Sequence, residues 1–157
     1  MTNQDILFNS LKQLKSLQFK TLYAIIIHYW ANYKYFISKQ NFFNLWCELN
    51  VLCHEFDESF PDPYVDHELL KSFCHTHPYY FIDVLELELV IKLFCQCFDD
   101  RLDILATIAQ KLNDGGVRDA YAYANEALGL DEDIDRLVAA TEEHVVAFNW
   151  FVEAYNL

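Results

Sequence analysis

Residues 79–98 read YYFIDVLELELVIKLFCQCF, the longest apolar segment of the chain. Its assignment decides the fold. Within it, Val84-Leu85-Glu86-Leu87-Glu88-Leu89 alternates with period two, as a half-buried strand does. The whole segment is about 20 residues long, well beyond the usual 4–8 of a strand, and Glu88 and Lys92 stand four apart in the order that supports a helix. The expectation is one helix over Tyr79–Phe98, opened by Pro78 and buried on most sides at the centre of a bundle.

Helical spacing continues on both sides. Asp5 is the expected cap of a first helix carrying Ile6, Leu7, Leu11 and Leu14. Ser16 is the expected cap of a second, about Leu17 to Ile37, and a third runs from about Asn41 to Phe56 with Phe42, Leu45, Leu49, Leu52 and Phe56 on one face. Phe60-Pro61-Asp62-Pro63 is a loop, since its two prolines favour extended backbone. A short helix is expected over Val65–Phe73. Beyond Phe98, Asp99 or Asp100 is the expected cap of a helix that Asn113-Asp114-Gly115-Gly116 ends. Another helix spans Val117 to Leu128 and stops at Gly129. The last starts after Asp131-Glu132-Asp133 and runs from Ile134 to about Tyr155. With only 3 Gly and 3 Pro in 157 residues, tight turns are too few for an all-β sandwich or barrel. The expected fold is all-α, one domain over residues 1–157 with six to eight helices.

The runs Leu11-x-x-Leu14-x-Ser16-x-Gln18-x-x-Thr21-x-x-Ala24 and Asn32-Tyr33-x-x-Phe36, then Pro78 with Ile82-Asp83, carry a likeness. Over roughly its first 100 residues the chain resembles the YjaG-like family of uncharacterised bacterial proteins, with fewer residues between Phe36 and Leu45 than that family has. The resemblance implies a helical bundle and no particular chemistry.

Charge is uneven. Residues 1–53 hold five lysines against two acids, a net of +3, whereas residues 54–157 hold 6 basic and 22 acidic residues, a net of −16. The total of −13, with an isoelectric point near 4.6, argues electrostatically against nucleic-acid binding. It also exceeds the magnitude of roughly 2–8 that solubility asks of a small domain. The apolar run Val84–Phe98 is too short and too charged to span a bilayer. The N-terminus has no signal-peptide pattern, so a cytoplasmic location with five reduced cysteines is expected.

Catalytic signatures are sparse. Gly occurs only at 115, 116 and 129, which leaves no phosphate loop, dinucleotide loop or nucleophile elbow. Cys74, His75 and His77 with Cys95 and Cys97, joined by Cys53-His54, are the metal candidates. Residues two apart on a helix diverge, so no metal and no cofactor is expected. Asp83 and Glu86 are the candidate acid–base pair, with pairing to a lysine of the N-terminal third as the structural alternative. His28 reads as a packing residue. Of Trp30, Tyr33 and Tyr35, at least one is expected at the surface or an interface.

Three function classes remain open. The first is a non-enzymatic cytoplasmic module that binds a basic protein, most sharply an immunity protein neutralising a nuclease-type toxin. Its expected partner-binding residues are Asp57, Glu58, Asp62, Asp66 and Glu68 in one stretch, Asp131, Glu132, Asp133 and Asp135 in another, and Trp150 as an aromatic anchor. The second is a helical scaffold or homo-oligomer subunit, a homodimer in its simplest form. The third is a metal- or carboxylate-dependent enzyme.

Overall fold

The second helix sets the architecture. Leu22, Tyr23, Ala24, Ile25, Ile26 and Ile27 are consecutive, and each is at most 1% exposed. Six neighbouring residues cover every direction around a helix axis, so other helices must enclose this turn and a half. The computed structural model describes residues 2–33, 37–77, 79–98 and 101–142, and among these every regular element is a helix. They are α1 (Asn3–Lys12), α2 (Ser16–Tyr33), α3 (Lys39–Phe56), α4 (His67–Thr76), α5 (Tyr80–Val84), α6 (Leu87–Cys97), α7 (Leu102–Asp114), α8 (Val117–Leu128) and α9 (Ile134–Glu142). Helix α1 packs on α6 and α7, α8 lies between α7 and α9, and α3 covers α5 and α6.

The segment 79–98 does not form one helix. Leu85 and Glu86 are extended, with ψ of 152° and 129°, and separate α5 from α6. A continuous helix would set Glu88 in register with Phe81, and Lys92 with Leu85, seven residues apart on one face. Phe81 and Leu85 are buried, whereas Glu88 and Lys92 are exposed. The extended pair re-aims α6 so that Val90, Ile91, Leu93, Phe94 and Cys95 face inward and both charges face out. The period-two alternation thus marks a local break.

Aromatic rings lock the two halves onto α2. Phe19 meets Phe94 edge-on at 5.1 Å, and Tyr23 meets Phe81 at 5.0 Å and Phe94 at 5.8 Å. Such edge-to-face pairs add about 0.5–1.5 kcal/mol beyond their burial. On the other side of α2, the buried Tyr29 hydroxyl donates to Asn125 Oδ1 at 3.0 Å, and Asn125 Nδ2 donates to the Glu132 carbonyl at 3.1 Å. One amide therefore ties α2, α8 and the approach to α9.

Helix ends obey local chemistry, with three corrections, the first being that Ser16, the expected cap of the second helix, is instead the first residue of α2. The cap of α1 is Thr2, and Asp5 is the third residue of its capping box: Thr2 Oγ1 accepts from Asp5 N and Asp5 Oδ2 from Thr2 N. The residue before α7 is Arg101, left-handed at φ 53°, without a side-chain cap; Asp99 and Asp100 lie outside the described residues. The α8 boundaries are as the sequence predicts. Gly116 (φ 95°) precedes it and Gly129 (φ 68°) ends it in a left-handed turn, with Leu130 N donating to Asn125 O at 2.8 Å.

Removing either partner of the Tyr29–Asn125 bond loses a buried hydrogen bond, at about 1–3 kcal/mol. Urea unfolding of Tyr29→Phe, Asn125→Ala and the double variant should show both singles destabilised. The double should lose less than the sum, since one bond is removed once.

Candidate partner-binding surface

The two acidic stretches have different fates. In the 131–135 stretch three of the four carboxylates are engaged within the fold. Asp133 Oδ1 accepts from Asp135 N at 3.1 Å and Arg136 N at 3.4 Å, capping α9. Glu132 pairs with Arg136 at 3.0 Å and Asp135 with Arg118 at 2.5 Å. Asp131 and Asp133 are both exposed and outside these ion pairs, and of the two Asp133 caps the helix.

The first stretch lies in and around the loop joining α3 to α4. Asp57 ends α3 and organises the start of the loop. Its Oδ1 accepts from Ser59 N at 3.0 Å and Ser59 Oγ at 2.6 Å, and its Oδ2 accepts from the Tyr80 hydroxyl. Asp62 Oδ1 accepts from Tyr64 N at 2.9 Å, an Asx turn. Both residues therefore shape backbone. Glu58, Asp66 and Glu68 are exposed, as is Glu55 on the last turn of α3. Residues 54–77 hold six carboxylates and one cationic side chain, Lys71, a net of −5. Among the described residues, none of these six carboxylates enters an ion pair.

The loop is pinned from beneath. Phe60 is 3% exposed, stacks on Tyr80 at 5.3 Å and 11°, and meets Phe73 edge-on at 5.1 Å. The His54 ring nitrogen Nδ1 lies 2.7 Å from the Phe60 carbonyl oxygen, and Pro61 and Pro63 are buried. On this anchored backbone sit apolar side chains that the sequence did not single out for a surface. Tyr64 and Val65 are each 74% exposed, Phe56 65% and Leu69 58%. Phe56 continues the buried stripe of α3 by spacing, yet the helix ends there and its ring projects outward. The short helix begins at His67, leaving Val65 in the turn. Trp150, like Tyr35, lies outside the described residues, and so do the side chains of Trp30 and Tyr33.

The alternative chemistries gain little from the geometry. Asp83 lies in α5 and Glu86 in the extended break that follows it, so the helical register that would set the two on one face is lost. Asp83 pairs with Lys20 at 2.7 Å, and Glu88 sits 4.0 Å from Lys12, so lysines of the N-terminal third hold both. Among the described residues no three His, Cys, Asp or Glu side chains come together as a metal ion requires. Cys53 and Cys74 share a small apolar void, and burial pushes both thiols up to about 12, far from the reactive thiolate. His28 is half-buried, edge-on to Tyr29 at 5.1 Å, and burial lowers its pKa. A cleft of about 420 Å³ between α2, α8 and α9 is lined mainly by Leu17, Val117, Val138 and Tyr79, and Lys20 at its edge is the lysine that pairs with Asp83.

Bonds from Ser59 and Tyr80 hold the Asp57 carboxyl below its ordinary pKa. A depressed folded value stabilises the protein above the unfolded pKa of about 3.9, and that contribution is lost as pH falls through the folded value. Urea midpoints of wild type and Asp57→Ala should therefore differ at neutral pH and converge in strong acid. A gap of equal size at both ends would remove Asp57 from the loop's support.

No protein-family model, no curated protein and no solved structure matches this chain.

Proposed function

We propose that the chain is a non-catalytic protein-binding module that captures a basic protein, most sharply as an immunity protein neutralising a nuclease-type toxin in the cytoplasm. The observation that carries this reading is the uncompensated charge of residues 54–77, a net of −5 with no ion pair to its carboxylates among the described residues. Like charges held on one surface repel one another and oppose folding. A basic partner removes that penalty on binding, and the long-range field speeds its capture. A nuclease that grips a phosphate backbone presents cations of the kind such a surface fits. Two further points agree. No helix among the described residues is long and apolar enough to cross a membrane. The acid–base and thiol candidates are ion-paired, split apart or held protonated.

The test is affinity capture from the native host at low salt, followed by nuclease assay of the retained protein. A basic protein should be held at low salt and released as the screening length falls to about 8 Å near physiological ionic strength. Its nuclease activity should vanish on adding one equivalent of the chain. Retention of acidic or neutral proteins alone, or capture that salt does not weaken, would contradict the proposal.

A further inference from the structure

We infer that the docking surface is the α3–α4 loop and the start of α4, where Tyr64, Val65 and Leu69 receive apolar side chains of an amphipathic basic segment whose cations meet Glu58, Asp66 and Glu68. This rests on the reading of the chain as a binder of basic proteins and says where, and with what chemistry, that partner is held.

The apolar element is the part that charge alone does not supply. Four of the six large hydrophobic side chains exposed among the described residues fall between positions 56 and 69. Val65 directly precedes Asp66, the residue before the first turn of α4. An apolar residue there usually folds back onto the fourth helical residue, here Leu70. Leu70 is 1% exposed, and Val65 stays 74% exposed. The usual internal partner is thus buried elsewhere, and Val65 in the turn and Leu69 in the first turn of α4 remain uncovered, with Tyr64 next to Val65 in sequence. The Asp57 and Asp62 turns, the buried prolines and the stacked Phe60 hold the loop in place, so little conformational entropy remains to be lost on binding.

Charge selects the occupant. A second copy meeting this face through a two-fold axis would set a net of −5 against −5, like charge on like. An anionic membrane or a nucleic acid meets the same repulsion. A segment with apolar residues at its centre and lysines or arginines at its edges satisfies both features. The second acidic stretch is not equivalent, because Arg118 and Arg136 already occupy Asp135 and Glu132.

The probes are three synthetic peptides of equal length titrated into the full chain at low salt, with backbone amide shifts followed by NMR. One carries Lys with Leu at helical spacing, one Lys with Ser at the same positions, and one Glu with Leu. The Lys–Leu peptide should shift residues 54–69 and bind about tenfold or more tighter than Lys–Ser, a difference of about 1.4 kcal/mol. The Glu–Leu peptide should not bind. Tyr64→Ser/Val65→Ser/Leu69→Ser should bring the Lys–Leu affinity down to that of Lys–Ser. Glu58→Lys/Glu68→Lys should weaken both cationic peptides more than Asp131→Lys/Asp135→Lys does. All replaced side chains are exposed, and the amide spectrum of each variant reports its fold directly. Shifts centred on 131–135, or equal affinities for Lys–Leu and Lys–Ser, would overturn the docking surface while leaving a basic partner in place. Binding of neither cationic peptide would overturn both.

Discussion

The enclosure of α2 constrains everything else. A helix with six consecutive residues out of solvent offers no face for charge, and it demands neighbours on all sides. Those neighbours each bury one stripe and turn the other outward. The acidic residues of the last two-thirds of the chain are therefore forced onto the outer faces and the loops. The break at Leu85–Glu86 arises from the same requirement, since it lets α5 and α6 both cover α2 while Glu88 and Lys92 stay wet.

Given an acidic exterior, the placement of the few cations decides where the field is left over. Lys12 and Lys20 of the first third reach across to Glu88 and Asp83, joining the basic end of the chain to the α5–α6 region. Arg118 and Arg136 settle on the start of α9. Each of these pairs has at least one exposed partner, and each contributes only about 0–1 kcal/mol to stability. Their larger consequence is spatial: they engage carboxylates near α5–α6 and at the start of α9, while those of the α3–α4 region enter no ion pair among the described residues. A pinned loop that exposes Tyr64, Val65 and Leu69 beside carboxylates outside every ion pair gains no stability from that exposure.

Much of the fold was legible in the sequence. Helical spacing located the elements, and Gly116 and Gly129 marked both ends of α8 because positive φ is cheap only there. The α5–α6 break was also visible, as the period-two run VLELEL, but length argued for one helix, and only the three-dimensional demand to keep Glu88 and Lys92 wet decides otherwise. The site was half legible. The charge density was evident, but the two acidic stretches looked alike. Asp135 is separated from Arg118 by an entire helix, so only the fold shows that the second stretch is engaged. The exposure of Phe56 and Val65 was hidden for a related reason. Spacing placed Phe56 on a buried stripe, and the chain leaves the core at that very residue.

The central claim is that Glu58 on the α3–α4 surface sits in unrelieved negative charge while Asp135 at the start of α9 faces a cation. Thermal unfolding of single charge reversals at low and high salt tests it without any partner. Glu58→Lys should raise Tm at low salt by about 2 °C, an effect that fades as salt screens the field. Asp135→Lys should lower Tm, because it faces Arg118. A fall in Tm for Glu58→Lys at low salt, or a rise that salt leaves unchanged, would contradict the account.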